Sequence, residues 1–157
     1  MMAGSGTCAC HNAGNTMHEL APRTVFFVQD AERALRFYTD TLGFTVDWTH
    51  LEHGRVFVFQ VSLLGLQLIL NQTEADTAAR AGHGRVFIGV DSDQVEALRR
   101  HLTDRNIKTS VTHWGAPTLI VHDLDQNEFF FWLPEGERAD LEARLAAPRS
   151  PPRPQVT

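Results

Sequence analysis

Four residues of this chain, His83, His113, His122 and Glu128, carry side chains that bind divalent metals, and Arg85 carries one that binds anions. A metal needs several such donors converging on one point. His83 lies two positions before Arg85, and Glu128 two before Phe130, so each pair shares a face if its segment is a strand. His113 and His122 each close an apolar run, where an isolated imidazole more often makes a surface hydrogen bond than a metal bond. Asp123 and Asp125 have a spacing that acid/base chemistry can use. In "DLDQN", however, the same spacing suits a polar turn whose carboxylates accept backbone N–H groups, and that is their expected role. Cys8, Cys10 and His11 make a soft-donor cluster without four preorganised ligands. Neither a Ser-His-Asp constellation nor a glycine-rich phosphate loop stands out.

Arg85 poses the sharpest question. Inside a fold, a guanidinium needs an anionic partner, either Glu128 or a ligand carboxylate or phosphate. Arg23 raises the same question earlier in the chain. Trp114, in "HWGAP", is placed to stack on a flat or cationic ligand or to pack on its own sheet. Trp48, Phe57 and Phe59 are candidates for lining a site, with burial beneath a helix as the competing role.

The elements that position these groups recur. "RTVFFVQD" (23–30) is a β-rich run ending at Asp30, a plausible N-cap. Ala31, Ala34, Leu35, Tyr38 and Leu42 then fall at helical spacing, with Tyr38 expected to reach a partner at the rim through its hydroxyl. Gly43 suits the left-handed position that ends such a helix. Three strands are predicted next, broken at His53-Gly54 and at Gly65. About 60 residues on, the pattern returns: "GRVFIGVD", a helix through Val95, Leu98 and Leu102 with Asp91 and Gln94 resembling a capping box, and three more strands. The prediction is an α+β fold of two tandem βαβββ units, about 20–73 and 83–134, forming a curved, cup-like mixed sheet with helices outside. A short helix over 135–147 with Leu141 and Leu145 as its stripe should follow. Residues 1–19 read as an unstructured leader and 148–157 as a proline-rich tail.

Composition narrows the function classes. A net charge of -5 leaves no basic footprint for nucleic acid. No apolar run reaches the length of a membrane span. The N-terminus lacks a basic stretch followed by an apolar one, and two leader cysteines make no disulfide framework, so the expected compartment is the cytoplasm.

The segments "RTVFFVQDAERALRFYTDTLGFTV" and "HWGAPTLIVHDLDQNEFFFWLP" resemble the glyoxalase/bleomycin-resistance/dioxygenase group, the vicinal oxygen chelate superfamily, over about residues 20–134. The resemblance implies a cup that holds the site. In metal-dependent members it also implies a His or Glu near the start of each unit's first strand and in its last strand. Matched residue by residue, those four positions hold Arg23, Gln67, Arg85 and Phe130. Arginine offers no lone pair near neutral pH and phenylalanine has no ligand atom, so no metal and no other cofactor is expected. The resemblance then implies metal-independent sequestration of a small molecule in a cup or dimer groove. Arg85, Trp114, His113, Phe59, Gln67, Trp48 and Phe130 are the expected ligand-binding residues, and a homodimer is expected. The alternatives are a metal-dependent lyase, isomerase, dioxygenase or thiol transferase, and a small interaction subunit whose aromatic cup takes a peptide.

Overall fold

A computed structural model describes residues 22–147. The leader with Cys8, Cys10 and His11, and the tail from 148 on, lie outside the described residues. The first unit runs β1 (Thr24–Val28), α1 (Ala31–Arg36), a π-helical turn (Phe37–Thr41), β2 (Thr45–Glu52), β3 (Arg55–Leu63) and β4 (Leu66–Gln72). The second runs β5 (Arg85–Gly89), α2 (Val95–Asp104), β6 (Ser110–His113), β7 (Pro117–His122) and β8 (Glu128–Trp132), followed by α3 (Ala139–Ala146). Each unit is one four-stranded sheet, ordered β1-β4-β3-β2 and β5-β8-β7-β6. In both, the first strand pairs parallel to the last and the other pairings are antiparallel.

Local chemistry explains the boundaries. Asp30 caps α1, accepting from the Arg33 N–H at 2.9 Å. Gly43 ends the helical stretch at φ +80, and the Arg105 guanidinium occupies the space a Cβ there would need. The β2–β3 and β3–β4 turns carry positive φ at both central residues, His53-Gly54 and Leu64-Gly65, matching the twist of a tight hairpin. Only half of the expected capping box forms: Gln94 Oε1 accepts from the Asp91 N–H at 3.1 Å, and α2 begins one residue later. In α3, Leu141 is buried, whereas Leu145 is exposed and adds nothing to the stripe.

Strand alternation sorts the two faces of each sheet. Phe26, Val28, Phe59, Val61, Leu68 and Leu70 turn toward α1 and are buried. Val121 and Phe129 from the second unit complete the same core, so the two units share it. The β7–β8 turn locks this seam. Asp123, buried in that turn, accepts from the Tyr38 hydroxyl at 3.0 Å, Asn127 Nδ2 at 2.8 Å, and the backbone N–H groups of Asp125 and Asn127 at 2.9 and 2.8 Å. Tyr38 thus reaches a buried carboxylate of the other unit rather than a rim partner. Burial, with Asp123 beside it, pushes its hydroxyl well above the ordinary tyrosine range. Asn127 Nδ2 also donates to Phe27 O at 3.1 Å, and Asp125 accepts from the Gln29 N–H at 3.2 Å. Among the described residues no helix is long and apolar enough to cross a membrane.

Candidate functional site

The outward face of the second sheet carries Phe87 and Trp114, two of the three exposed aromatic side chains among the described residues. Parallel pairing of β5 with β8 sets Arg85 beside Glu128 and Phe87 beside Phe130, and alternation brings Trp132 to the same side. Trp114 comes from the β6–β7 turn. There Gly115 takes φ +73 and the Trp114 N–H donates to Ala116 O at 3.0 Å, folding the indole back over the sheet. The Trp114 ring centre lies 5.6 Å from Phe87, 5.7 Å from Phe130 and 6.2 Å from Trp132. Phe130 forms the floor at 3% exposure, whereas Phe87 and Trp114 remain 50% and 49% exposed. Phe87, Trp114, Gly115 and Trp132 line an open depression of about 450 Å³.

Two guanidinium groups flank these rings. Arg85 lies 4.4 Å over Phe130, and Arg138 lies 4.5 Å over Trp132 while its Nε donates to Leu133 O at 2.7 Å. Arg85 Nε also donates to Glu128 Oε2 at 2.6 Å, and the other Glu128 oxygen lies 3.5 Å from His122 Nε2. Of the two partners open to Arg85, the structure therefore supplies the protein carboxylate. The pair is too exposed to act as a buried bridge, since the Arg85 side chain keeps 53% of its surface. Arg85→Met is accordingly expected to change unfolding free energy by no more than about 1 kcal/mol in urea titrations. A loss above about 3 kcal/mol would mean that the pair is desolvated.

The first sheet's outward face is different. Gln67 and Trp48 lie there, with Trp48 paired to Gln60 and 42% exposed. Asp47, raised by a bulge in β2, accepts from Gln60 and Ser62, both at 2.8 Å. These bonds, with Arg23 nearby, hold its carboxyl below the usual range.

The structure places two of the expected ligand residues away from this aromatic face. Phe59 is fully buried beneath α1, because a strand between two apolar faces gives no sign of which one meets solvent. His113 shares its strand parity with Val111, which packs against the second core, so it faces away from Arg85 and Trp114. His113 and His122 also lie at opposite ends of β7, since His113 pairs with Pro117 at its start and His122, its last residue, pairs with Glu128 of β8. Phe87, Trp132 and Arg138 were missed. Period-two spacing from Arg85 and Phe130 points to the first two, whereas Arg138 arrives through a turn after β8 that carries no such pattern.

Of the four inferred metal positions, Arg23, Arg85 and Phe130 offer a metal ion no lone pair, and Gln67 alone carries an acceptor oxygen. Arg85 and Phe130 stack on one another, and the nearby Glu128 carboxylate is held between Arg85 and His122. Among the described residues no three His, Cys, Asp or Glu side chains gather as a metal-binding group.

The family model described as Glyoxalase/Bleomycin resistance protein/Dioxygenase superfamily matches residues 20–131. Among solved structures, the bleomycin-binding protein from bleomycin-producing Streptomyces verticillus, complexed with copper(II)-bleomycin, is 23% identical. The match covers 75% of this chain and 98% of that one, with a TM-score of 0.54. Lactoylglutathione lyase from Agrobacterium tumefaciens is 15% identical over 76% of this chain and 97% of that one, with a TM-score of 0.50. An integron cassette protein from the mobile metagenome of Halifax Harbour sewage outfall is 17% identical over 69% and 93%, with a TM-score of 0.50. At these identities the likeness concerns the fold alone. No curated protein matches the chain.

Proposed function

Since the chain belongs to the glyoxalase/bleomycin resistance protein/dioxygenase superfamily, we propose that it binds and sequesters a small, flat aromatic molecule on the outward face of its second sheet, without a metal ion. The observation that carries this reading is the cluster of Phe87, Trp114 and Trp132 around an open depression, with Phe130 as its floor. Half-exposed rings already tilted against one another offer a planar ligand stacking surface and lose little side-chain freedom on binding. Arg85 and Arg138 are permanent donors at its margins, suited to holding polar groups and unable to move a proton near neutral pH. The donor chemistry at the four matched positions supports the metal-independent form of this reading.

Bleomycin and a planar aromatic carboxylate such as 2-naphthoate are suitable probes, titrated against tryptophan emission. Saturable quenching is expected, and Trp114→Ala should weaken it by about tenfold or more, the equivalent of about 1.4 kcal/mol. No quenching by either probe, or quenching unchanged in Trp114→Ala, would sink the proposal. Stoichiometric uptake of zinc or nickel by the folded core would favour a metal-dependent enzyme instead.

A homodimer is part of the same reading. Val25 and Trp48 on the first sheet leave apolar surface that a second copy would cover while the depression of the second sheet stays open. Sedimentation should show a dimer at tens of micromolar, as an order of magnitude, and a monomer there would count against it.

A further inference from the structure

Behind the second sheet, on the side away from Trp114, the two units leave a cavity of about 540 Å³ at their seam. Ile88, Phe129 and Phe131 form one wall, Leu98 and Leu102 of α2 a second, and Phe44 of the first unit a third. It is a half-open cleft rather than a sealed void, since Leu64 and Phe87 on its lining are exposed. Its volume falls within the range of small-molecule sites.

The lining also defines what can enter. It contains no Asp, Glu, Lys or Arg side chain, so an ion would be desolvated there without a counter-charge. Its two larger polar side chains are engaged with backbone. Gln94 Oε1 accepts from the Asp91 N–H, and His101 Nε2 lies 2.8 Å from Leu42 O. A carbonyl only accepts, so that imidazole nitrogen carries the proton. Water would find apolar walls and few partners. One margin, however, is β5, an edge strand of its sheet, whose backbone amides provide neutral hydrogen-bonding groups.

We propose that this seam cavity is a second binding site, which takes a neutral, predominantly apolar small molecule with at most a few uncharged polar groups. It meets the aromatic face at one residue, Phe87 of the edge strand β5, which lines both. The other walls are distinct, because Phe129 and Phe131 project to one side of β8 while Phe130 and Trp132 project to the other. Since its walls come from both units, an occupant would tie them together and raise the melting temperature.

The test uses the full chain and 1-N-phenylnaphthylamine, a neutral apolar fluorophore. Saturable enhancement is expected, with one site per chain that persists in Trp114→Ala, together with a higher melting temperature. Ala97 lies at the cavity on an exposed position of α2, so Ala97→Phe should fill the mouth and weaken binding about tenfold or more. Should Ala97→Phe not fold, Leu64→Glu serves instead, placing a charge at a lining residue that is 71% exposed. Trp114→Ala should leave this binding unchanged even if the aromatic face proves to bind nothing. The proposal is overturned if enhancement is not saturable, if the cavity variants keep full affinity, or if Trp114→Ala abolishes it. A dimer that blocks the probe and dissociates in Ala97→Phe would also overturn it, by showing that a second copy covers the cavity.

Discussion

Phe129→Ala is expected to lower the unfolding free energy by about 3–5 kcal/mol, the usual cost of truncating a fully packed aromatic side chain. Phe129 belongs to β8 of the second unit but lies in the core of the first, at 2% exposure. Its ring centre is 5.5 Å from that of Phe26, in a near-perpendicular edge contact, and 6.1 and 6.2 Å from those of Tyr38 and Phe44. Truncation removes these contacts along with the buried area. The neighbouring rings belong to a sheet and a helix that cannot close over the space without moving the units relative to one another. Because the space would open beside the existing seam cavity, collapse is harder still. Chemical denaturation should show a lower midpoint with little change in slope. A loss below about 1 kcal/mol would mean that the units do not share this core.

Asp123→Ala should cost a comparable amount, about 3–5 kcal/mol, for a different reason. The carboxylate is 3% exposed and satisfies four donors at once: the Tyr38 hydroxyl, the Asn127 amide and two backbone N–H groups. Alanine leaves all four in a buried place, where an unmade hydrogen bond costs about 1–3 kcal/mol each before relaxation and water entry reduce the sum. Asp123→Asn keeps the volume but replaces an acceptor oxygen with a donor, so it should recover only part of the loss. If Asp123→Ala melted with the parent, the turn would not be a joint between the units.

These two residues show what was legible in the sequence and what was not. The elements were legible because they rest on local chemistry: Asp30 as a cap, Gly43 as a stop, His53-Gly54 as a hairpin turn and alternation along β3. The "DLDQN" turn was legible for the same reason, since its carboxylate bonds to amides two and four residues on. Its second partner was not, because Tyr38 lies 85 residues away. Likewise, the run "FFFW" shows that Phe129 and Phe130 face opposite sides but not that one enters the other unit while the other lies under Arg85. Phe59 was misplaced for this reason. The π-helical turn that sets the final orientation of Tyr38 has no signature in its residue types.

The seam also imposes an order in time. Hairpins within each unit join residues a few positions apart, but the bonds that close the seam span 85, 96 and 100 residues. Ordering so long a loop costs entropy before the seam contacts can compensate, so local ladders should form first and docking of the halves last. On a chevron, Asp123→Ala would then steepen the rate of opening and leave the folding arm nearly in place. Resistance to unfolding, and with it the lifetime of the native state, would be set at the seam, by a five-residue turn and the strand residues packed beside it, rather than by the hairpins of either sheet.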